Sequence, residues 1–445
     1  YTVSATFWLL FATAVGLLLA FKFGAPDFAS GAWLTFGRLR PIHTNATFYG
    51  WASLGLVGVS YYVVVRSSGT QLYSKTLAWW GLALFNIAAV AGTIALDLGY
   101  NAGDLEYREW PWPIRVVFLA ALVVTGWNLI ATVAQRSTEE IYLSNWYILG
   151  GVLWTCIIAI VAILPWYQYG LGQVAVSGYY MHNAVGLWFT PLALGIFYYA
   201  LPKLLNRPIY SYALGVFAFW TNLVFNPIIG SHHFLFSPLP WWLQTTAIVF
   251  SVAMLVPVWG GSANYLLTMR GRVRDMIHSY ALLFIFVAVV NYLLSSTQGT
   301  LEAFRSLQEI WHLTNFTVGH SHWTMYGFIT FAVWGGVYAM LPLATGKSAG
   351  RLGLALHFWM AVVGGTIYVL SLSIGGTVQG LDWVHGLPFI QSVVDMQPYW
   401  VWRGVGGTLM FLSHIVFGWN VWRMTYGRQG NAASPVLGPA TEELA

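Results

Sequence analysis

Eleven histidines occur in this chain, and six of them fall in a pattern that can bind metals. His232 and His233 are adjacent in "NPIIGSHHFLF" (226–236), and His320 and His322 flank one serine in "GHSHW" (319–323). His43 and His182 stand alone in "RPIHTNA" and "YYMHNAV". Imidazole is the commonest metal ligand and suits copper and iron. Neighbouring residues on a helix point about 100° apart. His232 and His233 therefore reach one metal only where the helix end loosens, and Pro227 and Gly230 predict that loosening. His320 and His322 lie about 200° apart around a helix and face opposite sides. They cannot share one metal, but each can bind iron in one of two planar cofactors flanking the same helix. One of them, with His43, makes the axial pair of a six-coordinate haem. The other gives the single ligand of a second haem with an open site. His182, His232 and His233 remain as a three-imidazole set for another metal. An open haem site facing a second metal is a centre for reducing small molecules.

The elements that must position these residues are membrane helices. Of the 445 residues, 58% are hydrophobic and 7% charged, against about 25% charged in soluble domains. We expect an all-α polytopic membrane protein with twelve spans, near 5–22, 46–65, 77–96, 115–134, 146–164, 178–201, 211–233, 242–267, 279–296, 318–343, 353–374 and 401–422. Residues 1–423 form one catalytic domain on this reading, and 424–445 a polar, disordered tail. The first apolar segment reads as a span without a cleavable leader. The single cysteine, Cys156, excludes a disulfide framework and a multi-cysteine zinc or iron–sulfur site. The net charge of +5 is read by position along the chain, not as affinity for nucleic acid. Twelve of the 19 basic residues lie in the even loops and the C-terminal tail. That side is therefore cytoplasmic, with both termini on it. His43, His182, His232, His233, His320 and His322 then all fall at one depth, near the outer face. Ionisable groups inside a membrane are costly, and a common level for six of them points to function. Of the others, His278 and His357 lie toward the cytoplasmic side and His385 in an outer loop. His414 reads as a hydrogen-bonded structural residue, and His312 can reach a haem propionate.

With these residues in place, the chain resembles subunit I of the haem–copper oxidoreductases, in particular the cbb-type cytochrome c oxidases and the related nitric oxide reductases. The stretches that carry the resemblance are "RLRPIHTNA" (38–46), "LEYREWPWP" (105–113), "YYMHNAVGLWFTPLALGIFYYALPK" (179–203), "GSHHFLFSPLPWWLQ" (230–244), "PVWGGSANYLLTMRG" (257–271), "HLTNFTVGHSHW" (312–323) and "VWRGVGG" (401–407). The resemblance implies that His43 and His322 ligate a low-spin haem b, that His320 ligates a high-spin haem b, and that His182, His232 and His233 hold copper or iron beside it. It implies that Arg40 and Arg403 pair with haem propionates and that Glu106, and less directly Glu109, bind calcium. A solvated acidic loop is the plain alternative for the two glutamates.

Two departures from the family pattern bear on the substrate. The cbb-type oxidases carry a redox-active tyrosine six residues before the paired histidines, where this chain has Asn226. Other branches place a tyrosine, and classical nitric oxide reductases a metal-binding glutamate, four residues after the sixth-span histidine, where this chain has Gly186. An amide neither titrates nor carries an electron. Joining two nitric oxide molecules needs two electrons, which a reduced metal pair can supply without a tyrosine. Gln298, where the oxidases have an acid, lines a polar path near the site. The expected activity is nitric oxide reduction to nitrous oxide in a bacterial or archaeal cytoplasmic membrane. The electron donor is a membrane-anchored c-type cytochrome or a copper-containing subunit. A proton-pumping dioxygen reductase is the alternative. A haem-binding sensor without turnover is the reading from another class.

Overall fold

A bilayer offers no water to backbone groups, so long apolar runs close their hydrogen bonds within helices. The computed structural model describes residues 1–102, 106–164 and 169–427, and these are helical throughout the expected spans. The twelve spans are α1 (Thr2–Gly24), α2 (Phe36–Ser67), α3 (Lys75–Asp97), α4 (Trp112–Ala134), α5 (Leu143–Ile163), α6 (Leu171–Leu205), α7 (Tyr212–Phe234), α8 (Trp241–Met269), α9 (Tyr280–Glu302), α10 (Asn315–Thr345), α11 (Arg351–Val384) and α12 (Phe389–Tyr426). The first eleven are long and apolar enough to cross a membrane. The twelfth is longer and more polar and begins well before the expected 401. It carries Asp395, Arg403, His414 and Asn420 along faces packed on α11 and α1. The expected tail beyond Gly427 lies outside the described residues.

Serines at the N-caps of α3, α7 and α9 accept from the backbone N–H three residues on, as Ser74, Ser211 and Ser279 do for Leu77, Leu214 and Leu282. No repeat is legible in the sequence, yet one clasp is built twice. The Asn128 amide brackets the Ser74 backbone at 3.0 and 2.9 Å, and the Asn264 amide brackets Ser211 at 2.9 and 2.8 Å.

Burial sorts the helices into layers. In α2, α6 and α10, 83, 89 and 78% of the apolar window is buried, against at most 50% in the other eight measured spans. The three innermost helices are thus those bearing His43, His182, and His320 with His322. Large apolar side chains such as Trp79, Ile87, Trp127, Val249 and Trp359 stay exposed on the outer helices, as a lipid-facing surface requires.

Candidate active site

Each inner helix changes its winding just after its histidine. Wider π turns span Ala46–Ala52 in α2, Ala184–Phe189 in α6 and Trp323–Thr330 in α10. Such turns gather at functional sites because they free backbone and re-aim side chains. The expected loosening in α7 is present. Its α-helix stops at Phe225, and Pro227, which has no N–H, sits in the 3₁₀ turn Asn226–Ile228. A second 3₁₀ turn, Gly230–Phe234, carries the paired histidines. Gly178 and Gly230 let α6 and α7 touch backbone to backbone there. A Cβ on either would come within 2.6 Å of the other's carbonyl oxygen.

That contact brings His182, His232 and His233 together, with one ring nitrogen from each lying within 4.8 Å of the others. Their hydrogen bonds fix which nitrogens are available. Ser251 Oγ donates to the Ala247 carbonyl at 2.7 Å, so it accepts from His232 Nδ1–H at 2.7 Å. His232 Nε2 is then a lone pair. Asn226 Nδ2 donates to Asn222 Oδ1, which points Asn226 Oδ1 at His182 Nε2, 2.9 Å away. His182 Nδ1 is then the free nitrogen, 3.3 Å from His233 Nε2. Two lone pairs on rings held by outer partners, with His233 Nε2 beside them, fit a metal. Asn226 thus lies behind a candidate ligand, engaged by His182 and Asn222, and does not point into the cluster as a fourth donor.

A cavity of about 460 Å³ opens in front of the cluster, with His320 also in its wall. His320 Nδ1 meets Gln298 Oε1 at 3.0 Å and the Glu302 carboxylate at 3.3 Å, leaving Nε2 free. The size suits a cofactor, and His320 and the three-imidazole cluster share its lining, as a haem between them requires. On α10's other face, the His43 and His322 rings lie 6.1 Å apart with planes 15° from parallel. Two metal–nitrogen bonds of about 2 Å plus the ring radii also come to roughly 6 Å. Both Nδ1 atoms are tied to carbonyls, of Ala12 at 2.7 Å and Val318 at 2.8 Å, which leaves both Nε2 atoms for an axial pair. Arg403 Nε donates to the Tyr368 hydroxyl at 3.0 Å, and that ring lies tilted against His322 at 4.5 Å between centroids. Arg403 Nη1 is buried without a hydrogen-bond partner, so a haem propionate there would meet an unmet need.

Arg40 lines the same cavity as His320, where the expected propionate would meet it. It bonds Glu106 and Glu109 at once, and the second Glu109 oxygen accepts from Asn45 at 2.8 Å. Arg40 balances only one of the two carboxylate charges, and calcium held between them would have to displace its guanidinium. Burial pushes the Glu109 carboxyl above its usual range, against the opposing pull of Asn45 and Arg40. His312 lines the cavity rim beside the His233 backbone, and burial holds its imidazole below its usual range. The sequence reading missed Ser251, Asn222, Glu302 and Tyr368 as contacts of these histidines. Only Glu302 left a signal, because it sits one helical turn after Gln298, on the same face.

Comparison with known proteins agrees with this architecture. Residues 1–409 match the family described as Cytochrome C and Quinol oxidase polypeptide I. The chain is 30% identical over 467 residues to the Cbb3-type cytochrome c oxidase subunit CcoN1 of Stutzerimonas stutzeri, covering 100% of this chain and 97% of that one. It is 32% identical over 472 residues to a cytochrome c oxidase subunit 1 homolog of Agrobacterium tumefaciens, covering 99% and 86%. Among solved structures, a heme-copper terminal oxidase dimer superposes with a TM-score of 0.79 at 16% identity, covering 97% of this chain and 84% of that one. At that identity the likeness concerns the fold alone.

Proposed function

Because the chain belongs to the family of haem–copper oxidase subunit I, we propose that it is the catalytic subunit of a membrane complex that reduces nitric oxide to nitrous oxide. Family membership carries haem, a second metal and a multi-pass place in the membrane. The observation that supports nitric oxide is Asn226. It stands where the cbb-type oxidases keep their tyrosine, and it touches His182, a candidate metal ligand.

On this reading His43 and His322 hold one haem b, His320 holds the other, and His182, His232 and His233 hold copper or iron. When bound, the haem–metal pair supplies two electrons and binding places for two nitric oxide molecules. The reaction then balances as two nitric oxide, two electrons and two protons giving nitrous oxide and water. Asn226 keeps His182 in one tautomer. Gln298 holds His320 from behind with a neutral amide. The apolar walls of the cavity, including Val185, Ile229 and Val258, favour an uncharged gas. A membrane-anchored c-type cytochrome subunit, or a copper-containing one, delivers electrons from the side where the histidines lie. The basic loops at the other end put that end and both termini in the cytoplasm.

The second reading, dioxygen reduction, is favoured by Tyr292. This tyrosine on α9 lines the same cavity, and its hydroxyl is buried without a partner. The purified complex, supplied with reduced donor, separates the two readings. We expect nitric oxide consumption that survives Tyr292→Phe. Rapid dioxygen turnover that Tyr292→Phe abolishes, with nitric oxide left untouched, would replace the first reading by the second.

A further inference from the structure

His357 on α11 and His414 on α12, which the reaction does not use, both pack against Trp334 of α10. Both are fully buried, as is Trp334. Their hydrogen bonds determine which nitrogen of each carries the proton. Asn420 Nδ2 donates to the Tyr338 oxygen at 3.0 Å, so the Tyr338 hydroxyl donates onward to His357 Nδ1 at 2.8 Å. Neutral His357 must then be protonated at Nε2. Thr13 Oγ1 donates to the Leu9 carbonyl at 2.6 Å, so it accepts from His414 Nδ1–H at 3.0 Å. Neutral His414 must then offer a bare Nε2. One ring presents a donor and the other an acceptor, and neither has a partner. Trp334 lies against both, at 4.4 Å from His357 and 5.6 Å from His414 between ring centroids, and its own N–H is also unpartnered. An unpaired buried polar group costs about 1–3 kcal/mol, and three of them around one indole call for a common partner.

We propose that a bound water bridges His357 and His414, making the two imidazoles one proton-sharing unit. The water accepts from His357 Nε2–H and Trp334 Nε1–H and donates to His414 Nε2, within the two to four bonds typical of buried water. Every donor in the string then points the same way, from Asn420 through Tyr338, His357, water and His414 to Thr13. A proton added at His357 Nδ1 is shared by passing one hydrogen from His357 Nε2 to the water and one from the water to His414 Nε2, so that the charge rests on either imidazole. Among the described residues, Tyr338 and Tyr326 are the other titratable side chains shown against the pair, and neither carries a fixed charge that competes for that proton. The string ends on Thr13, next to Ala12, whose carbonyl holds His43 Nδ1. The unit therefore reports to the low-spin haem, a consequence that rests on His43 being its ligand.

Solid-state ¹⁵N spectroscopy of the histidine-labelled complex in lipid tests the bridge without any variant in the measured sample. We expect two buried neutral imidazoles of opposite tautomer, both receiving magnetisation from water. His357→Gln and His414→Gln each remove one of these signals and so assign them. If a variant fails to fold, water density between the rings in a high-resolution map of the wild-type complex decides. Equal tautomers, or no water contact, overturn the proposal. Redox-difference infrared spectroscopy tests the link to His43, with an imidazole band that shifts on reduction of the low-spin haem and is lost in His414→Gln. An intact bridge with no such band would overturn the link to His43 and leave the water in place.

Discussion

Gly186→Ala offers a sharp test of how the three-histidine site is held. A Cβ at this position would stand 2.4 Å from Asn226 Oδ1 and 3.0 Å from its Cγ, well inside contact distance. Asn226 cannot retreat intact, because its Nδ2 is pinned by Asn222 and its neighbour is Pro227. Its oxygen must swing off His182 Nε2, giving up the 2.9 Å bond. A buried donor left without a partner costs about 1–3 kcal/mol. Loss of an outer-shell partner typically lowers metal affinity by about 10–100-fold, and the two magnitudes agree at 1.4 kcal/mol per factor of ten. We expect the purified Gly186→Ala complex to release its non-haem metal at about 10-fold lower chelator concentration, read by elemental analysis. Asn226→Ala should do the same. The double variant should resemble either single one, since both act on one bond. Additive losses, or wild-type retention in Gly186→Ala, would show that the glycine does not work through Asn226.

Gln298→Glu puts a second carboxylate behind His320, beside Glu302, and strengthens the imidazole as a donor to iron. A charge-assisted bond exceeds a neutral one by about 1.4 kcal/mol, so the midpoint potential of the high-spin haem should fall by roughly 60 mV in a spectroelectrochemical titration; an unmoved potential would dismiss the role of Gln298. Glu109 tests the outer cluster through pH. Its folded pKa is raised by burial above the ordinary 4.5, so its ionised form is disfavoured in the folded state. That cost is absent where folded and unfolded carboxyls are both protonated and grows as pH rises through this window. Glu109→Gln should therefore match or exceed the wild-type melting temperature at neutral pH, with the difference closing toward pH 4.5; a deficit largest at neutral pH would show that the Arg40 pair outweighs burial.

The helices and the level of the histidines were legible because both follow from chain length and bilayer thickness. His232 and His233 could be read as sharing a metal because Pro227 is a local instruction. The partners were not legible. Asn226 and His182 are 44 residues apart, and Ser251 reaches His232 across the α7–α8 turn. No periodicity links them. Arg40 was assigned by resemblance to a propionate, while its position between Glu106 and Glu109 depends on how the loop before α4 folds back. His414, read as a hydrogen-bonded structural residue, has its hydroxyl partner on α1 and a second nitrogen without one beside Trp334, which only the packed helices reveal.

The π turns beneath the histidines carry a consequence for how such a chain can change. Each holds one residue more than an α-helical turn of the same reach, so the ligand-bearing half of a helix and its apolar half keep separate registers. Removing one residue from Ala184–Phe189 would restore α winding at nearly the same reach and leave His182 close to its present direction. Removing one from the regular Thr190–Leu205 stretch would instead turn His182 about 100° relative to the residues beyond the cut. In these three helices the π turns are therefore the places where the chain can change length without moving an imidazole out of the metal site.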